Sequence, residues 1–528
     1  MRNSPNHLGL KDLFSDDREI SFWIPCLLFL TATVYLTLRQ TLPWGIGISA
    51  DSTVFIRLSR EILAFDFQSF GSEQGVLHPP GYPLFLAAVA FVTRTDPRTA
   101  AIILNSVSYV LVVLMFMLDA RRIEGISPWL SGLIITFSLP LMQVFCMAWT
   151  EPLFILLTYA IFRRAVQPDQ GRRSALLLGL ATGFVFLTRY LGLALIPVVF
   201  LQLFLYSSRG SEARRRNALV FLGTSSLVVG SLLLRNFIVS DTLFGVRAPS
   251  KISFLENLTY VNQTIFGWWV PDIPAGSTAR WILTAAILAF IWFTRKSIYA
   301  RLRQSGNHMG IQPMFVLVFS SLLFISATRT AFDSITIRLL APVFPALAFT
   351  ILLLVAPGSQ TPRGKRLALT ARWLLLLVII AQPFQITIKD THHRGREGAG
   401  GFNRAEWRDS QWVRQCLPGI SWEGEVLFCN APSALYILEG ITAQFLPKRN
   451  FNNSDKLTGV TMENLFEKFP AMDGALIIWF DREKRPYLFT PMDFETAGRM
   501  EIVKKCQGGT IYRLERFTDE NELRRSRP

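Results

Sequence analysis

Long apolar runs, separated by short clusters of charged residues, recur from Ile24 to Ile388. Such runs predict helices that cross a bilayer, because about 20 mostly apolar residues satisfy their own backbone across the hydrocarbon. The first span has its core at Ile24–Leu38. The segment before it, MRNSPNHLGLKDLFSDDREISFW, is polar and mixed in charge. It lacks the short basic region and small-residue cleavage site of a secretory signal, so the first span is expected to be retained.

The loops sort by charge. Basic clusters fall at 119–125 (DARRIEG), 163–173 (RRAVQPDQGRR), 209–217, 295–303 (RKSIYARLR) and 363–372 (RGKRLALTAR). Short basic loops stay in the cytoplasm. The chain then surfaces on the other side near 150–154, 188–192, 235–274 and 327–338, and again after the last apolar run, Trp373–Ile388. The alternation predicts about eleven crossings, N-terminus inside and C-terminus outside. Tyr82–Val92 is the exception: at 1.5 Å per residue it reaches only about 17 Å, so it is expected to be half-inserted or re-entrant, with Arg94–Arg98 on the exported side.

Between the first two apolar runs lies ISADSTVFIRLSREILAFDFQSFGSEQGVLHPPGYP, Ile48–Pro83. It is long and polar for a connection. Its pattern predicts an amphipathic helix over Ser52–Leu63 with Asp51 as N-cap. His78-Pro79-Pro80-Gly81-Tyr82-Pro83 then acts as a brake, with Gly81 in a tight turn. Beyond 390 the character changes. THHRGREGAGG reads as a flexible linker. Short apolar runs follow (EVLFCN, TAQFLP, ALIIWFD, MEIVKKC, TIYRLER), with helical patterns at Pro432–Glu439 and Thr461–Phe469. Strands alternating with helices predict a small α/β domain. Three regions result: a cytoplasmic segment 1–21, a transmembrane domain 22–389 with an exported loop 41–81, and an exported domain 390–528.

Composition agrees with a polytopic α-helical membrane protein. Half of the 528 residues are hydrophobic and 17% are charged, with mean hydropathy +0.33. Soluble domains carry more charge. The excess of 54 Lys and Arg over 38 Asp and Glu fits cytoplasmic loops facing anionic lipid, and no nucleic-acid motif accompanies it. Among the cysteines, Cys26 and Cys146 fall in apolar runs. Cys416, Cys429 and Cys506 lie in the exported domain, where they allow at most one disulfide; none is expected.

The candidate chemistry gathers on the exported side. Asp51 is a carboxylate suited to general-base work on a hydroxyl or amine, as well as to capping. Charges at helix ends in the membrane are costly and point to function. Glu151 (in TEPLF), Arg189 (in TRY), Arg235 beside Asn236, and Asp333 with Arg338 (in DSITIRLLAPVFP) all stand at exported ends. Arg residues there run against the positive-inside rule, and an anionic ligand such as a lipid phosphate would explain them. The structural alternative is snorkelling, or pairing with Glu151 and Asp333. His78 could bind a metal or a phosphate, although no matching ligand spacing supports a metal.

The order Asp51, HPPGYPLFLA, TEPLF, LTRYLGLALIP, RNFIVSDTLFG and RLLAPVFP resembles the GT-C superfamily of integral-membrane glycosyltransferases over about residues 20–355. It is most similar to bacterial members of the protein O-mannosyltransferase and lipid A aminoarabinose transferase type. The exported domain, with WRDSQWV and FCNAPSALY, resembles the trailing domain of many bacterial members. The resemblance implies a glycosyltransferase of the bacterial inner membrane. It would move a sugar, with inversion, from a polyprenyl-phosphate donor to a glycan, lipid or protein acceptor on the exported face. It implies Asp51 as catalytic base, Glu151 as a second acid, and Arg338, Arg235 and Arg189 as donor-phosphate ligands. His78, Tyr82 and Asn236 become candidates for the acceptor or donor site. Many relatives carry two adjacent acids in the first loop where this chain has Asp51–Ser52. No cofactor is therefore certain, and a divalent metal would have to draw on Asp66 or Glu73. The rival readings are a transporter or flippase of the lipid-linked sugar and a non-enzymatic scaffold. No second copy of the Asp51–Pro83 pattern supports the transporter.

Overall fold

A computed structural model describes residues 17–517, apart from 169, 207–209, 270–277, 286–288, 290–291, 293–309, 332, 356–361, 419, 421 and 453. Residues 1–16 of the predicted cytoplasmic segment, the 295–303 loop and the side chains of 363–372 and Glu73 lie outside the described residues.

The chain folds as a helical membrane domain followed by a small mixed sheet. Helix α1 (Asp17–Thr41) contains the first predicted span. It buries Phe22, Cys26, Phe29 and Leu36 and exposes Ile24, Leu27, Leu28 and Tyr35, the two-faced pattern of a helix between protein and lipid. Among the described residues, four helices are long and apolar enough to cross a membrane: α1, α4 (Pro97–Ala120), α10 (Ser211–Ser240) and α12 (Ile311–Arg329). The pair α5 (Pro128–Thr136) and α6 (Leu139–Phe145), bent by 51°, makes a fifth if taken as one span. Helices α7 (Glu151–Ala165), α8 (Arg172–Thr188) and α9 (Leu195–Tyr206) are shorter. Among the described residues the apolar runs thus become helices, while proline, as at Pro140, and short length keep several below a full span.

The loop between the first two apolar runs departs from its prediction in an informative way. Helix α2 (Ala50–Leu63) is capped by Ser49, not Asp51. The Ser49 hydroxyl accepts the Ser52 N–H, and the Ser52 hydroxyl accepts the Ser49 N–H. Asp51 therefore sits inside the first turn, where the helix dipole favours an acid, and its carboxylate is left for another partner. Helix α3 (Gly81–Thr93) follows the double proline. Gly81 makes no tight turn; it admits the end of α8, since a Cβ there would meet the Leu187 carbonyl carbon at 2.7 Å. Helix α3 has 13 residues, and beyond its end Arg98 donates to the Ile437 carbonyl of the C-terminal domain at 3.1 Å.

Helix α11 (Phe254–Gly267) packs beside α12, and Arg338 rides a short turn, Ile337–Leu340, ahead of α13 (Phe344–Val355). Helix α14 runs over Pro362–Glu397, so most of the predicted flexible linker is helical. Gln40 donates to Thr391 at 3.2 Å, fastening that extension to α1.

In the C-terminal domain β1 (Leu427–Cys429), β2 (Gln444–Phe445), β3 (Leu476–Phe480), β4 (Gly498–Cys506) and β5 (Gly509–Arg516) form one sheet in the order β2-β1-β3-β5-β4. The β1 pairings are parallel, and β3–β5 and β5–β4 are antiparallel. Helix α15 (Pro432–Glu439) matches its predicted pattern, whereas 461–469 yields helix only at Leu465–Lys468. One sheet face closes over Phe428, Ile477, Leu488, Phe494 and Leu514. The other shares a continuous core with Ile46, Ile48, Phe55 and Tyr82 of the membrane domain. Against expectation, Cys416 and Cys506 are joined, their Cα atoms 6.5 Å apart. A π-helical turn at Trp412–Cys416 carries Cys416 to the end of β4 across 90 residues of sequence, a pairing that only the fold sets. Cys429 stays free and buried.

Candidate active site

Three extended segments meet at the entrance of α2. Gly47 donates to the Cys146 carbonyl at 2.9 Å and accepts from Ala148 at 2.9 Å; Ile48 donates to the Gly400 carbonyl at 3.1 Å, and Phe402 donates to Ile48 at 2.8 Å. This small lattice aligns Ser49, the α2 cap, with Trp149 and Glu151 at the entrance of α7. The Trp149 indole donates to the Ser49 hydroxyl at 2.8 Å.

Over that lattice four charged side chains come together. Arg338 Nη1 lies 2.7 Å from Asp51 Oδ2, and its Nε lies 2.9 Å from Glu151 Oε1. Arg189 Nη1 reaches the same Glu151 oxygen at 2.5 Å. The other Glu151 oxygen accepts the Thr150 hydroxyl at 3.3 Å. The Arg338 guanidinium also stacks over Trp149, 4.4 Å from the ring centroid, which fixes its plane. Two carboxylates and two guanidinia balance formally. Glu151 is fully buried, whereas the Asp51 side chain keeps 40% of its surface exposed. The Glu151 carboxylate is therefore committed to holding the two arginines, and Asp51 is the one that can meet a ligand.

Burial tends to raise the Asp51 pKa, but Arg338 above all, with His78 and Arg189, pulls it below the ordinary carboxylate value. Asp51 is thus ionised at neutral pH, as a base must be. Burial lowers the His78 imidazole below its ordinary value; Asp51 opposes the shift, and Arg338, Arg247 and Arg57 add to it. His78 is consequently neutral at pH 7. Its ring packs edge-on against Phe55 at 5.3 Å, as does that of Tyr82. The Tyr82 hydroxyl is buried and finds no hydrogen-bond partner among the described residues.

Of the residues singled out in the sequence, Asp51, Glu151, Arg189 and Arg338 converge, and His78 stands near them. Arg235 and Asn236 do other work. Arg235 donates to the carbonyls of Gly75 (2.9 Å) and Phe70 and to Asn236 Oδ1 (2.9 Å). Asn236 donates to the Tyr190 hydroxyl and the Leu243 carbonyl, each at 2.9 Å, and Tyr190 donates to the Val76 carbonyl. Together they clasp the 70–76 backbone. Asp333 lines an open recess of about 580 Å³ with Lys251, Glu256, Tyr260, Ser334 and Thr336, beside the turn that bears Arg338. Trp149, Arg247 and Arg57 were missed; the indole directly before TEPLF was the available signal for the first, and nothing local marked the other two.

Arg338 stands between Asp51 and Glu151, and the side chain of Glu73, one of the two acids a divalent cation would draw on, lies outside the described residues. Among the described residues no three His, Cys, Asp or Glu side chains come together as a metal site.

The fold is the one that the sequence resemblance implies. The fold is similar to the crystal structure of ArnT from Cupriavidus metallidurans in the apo state, at TM-score 0.58 and 14% identity over 93% of this chain and 97% of that one. It is also similar to the same protein bound to undecaprenyl phosphate, at TM-score 0.54 and 14% identity over 93% and 98%. No protein-family model matches the chain, and no curated protein matches it in sequence.

Proposed function

We propose that the protein is a glycosyltransferase that moves a sugar from a polyprenyl-phosphate donor to a hydroxyl or amine acceptor on the exported face of a bacterial inner membrane. The observation that carries this reading is the pair Arg338–Asp51: a partly exposed carboxylate held ionised by a guanidinium that a phosphate can also engage. The fold likeness to ArnT supports it, since that protein has been crystallised with undecaprenyl phosphate.

In the proposed reaction the acceptor oxygen or nitrogen attacks the anomeric carbon while the bond from that carbon to the phosphate oxygen breaks. The phosphate leaves with the bonding electrons, and the acceptor proton passes to Asp51. A single displacement inverts the anomeric centre. A donor phosphate would draw Arg338 Nη1 towards itself and loosen its hold on Asp51, so donor arrival would raise the basicity of the carboxylate. Arg338 then stabilises the charge that develops on the leaving phosphate. Glu151 and Arg189 keep the guanidinium in position throughout. The recess beside Thr336 offers hydroxyl and carboxylate groups to a polar acceptor.

The test is transfer of label from a radiolabelled polyprenyl-phosphate sugar by the purified protein in vesicles containing bacterial envelope extract as acceptor. A labelled product formed by the wild type and lost in Arg338→Ala supports the proposal. Movement of the donor across the vesicle without any product would instead make the protein a flippase.

A further inference from the structure

We infer that the C-terminal domain is a positioning element for α2, gripping the helix at both ends and thereby setting where Asp51 stands; the catalytic half of this inference rests on the proposed function. At the entrance of α2 the grip is Gly398–Phe402. Gly400 and Phe402 bond to both sides of Ile48, one residue before the Ser49 cap. Gly401 lies between them at φ +57°, and a Cβ there would meet the Ile48 carbonyl oxygen at 2.0 Å. That oxygen belongs to backbone, which cannot turn aside as a side chain would. Gly398, at φ +109°, brings the chain out of α14, and a Cβ there would meet the Asn403 carbonyl oxygen at 2.2 Å. The glycines are needed for close approach, and composition alone made them look like slack.

At the other end of α2, Arg60 donates to the Tyr436 hydroxyl of α15 at 2.9 Å and pairs with Asp96 at 2.8 Å. Arg98 donates to the Ile437 carbonyl near the α15 C-terminus, where cations are favoured. Between these grips the α2 side chains Phe55 and Ile56 share one core with Leu435, Ile437 and Ile478 of the domain. Asp51 lies between the two holds and the Arg338 pair. A shift of the entrance strand would move its carboxylate directly. Gly401 and Arg60 are therefore positioning residues.

The experiment compares full-length wild type, Gly401→Ala, Tyr436→Phe and Gly424→Ala in lipid nanodiscs. Gly424 also lies at positive φ, +79°, but a Cβ there meets nothing within 4 Å, so it controls for backbone strain alone. Tyr436→Phe removes one hydroxyl and guards against misfolding in the glycine variant. The first readout is hydrogen exchange of peptides covering 49–57, which needs no assumption about function. Gly401→Ala is expected to raise that exchange about tenfold, Tyr436→Phe less, and Gly424→Ala not at all. The second readout is transfer kinetics: kcat should fall by about 10- to 100-fold in Gly401→Ala with the donor KM within about twofold, as a displacement near 1 Å would cause. Unchanged exchange in both Gly401→Ala and Tyr436→Phe overturns the grip, and raised exchange with unchanged kcat overturns its catalytic purpose. If the wild type transfers nothing, the proposed function falls, and the grip is judged on exchange alone.

Discussion

Arg338 and Arg235 look alike in the sequence, each a cation at the end of an apolar run, yet the fold gives them different partners. Arg338 holds two carboxylates, one of them partly exposed, and stacks on Trp149. Arg235 spends its donors on backbone carbonyls of the 70–76 segment and on Asn236. The difference lies in what each guanidinium is bonded to. A carboxylate partner can be exchanged for a phosphate of like charge, whereas a carbonyl that has lost its donor is merely left unsatisfied. In the proposed reading it is therefore Arg338, whose acid partner reaches solvent, that meets the donor phosphate.

Variants sharpen that contrast, beginning with the most severe. Glu151→Ala strands Arg189 and Arg338 without their buried counter-charge, and is expected to destabilise the fold by about 3–5 kcal/mol. Thermal unfolding in detergent measures this, and unaltered stability would mean that water or lipid already neutralises the pair. Arg338→Ala is expected to weaken undecaprenyl phosphate binding by at least about tenfold, the loss of a charge-assisted contact worth roughly 1.5–3 kcal/mol. Arg235→Ala should leave that affinity within about twofold while increasing protease cleavage in the 70–76 segment, since its bonds there are positional. Equal loss of phosphate affinity in both variants would erase the distinction between the two arginines.

The smallest effect is the pH dependence of Asp51. Its pKa is lowered in the fold, so its contribution to stability is present above the unfolded carboxylate value of about 3.9 and is lost as pH falls through the lower folded value. The Tm gap between wild type and Asp51→Asn should hold from neutral pH down to about 4 and close below it. A gap that closed near neutrality would mean that burial, not Arg338, governs the group.

The sequence already carried Asp51, Glu151, Arg189 and Arg338, because a charge that ends an apolar run is rare enough to stand out. It could not tell the Arg338 pairing from the Arg235 clasp, since both depend on contacts across 150 or more residues. The membrane helices were legible as apolar runs, but their lengths were less so: among the described residues four helices, or five with the bent pair at Pro140, are long enough to cross, and the expected count of about eleven is not confirmed. Asp51 was misread as a cap because Ser49 and Ser52 form a reciprocal box that local pattern ranks no higher than an aspartate. Gly398–Gly401 was misread as slack because composition shows the absence of side chains and not the backbone that fills their place.

Transfer from a radiolabelled polyprenyl-phosphate sugar by wild type and by Asp51→Asn, with undecaprenyl phosphate affinity measured on the same preparations, tests the central claim most directly. The account predicts that the Asn variant binds the phosphate at least as well as wild type, because Arg338 no longer serves a carboxylate, and that its transfer falls by about 100-fold or more, as expected for loss of a general base. Equal transfer by the two proteins would contradict it.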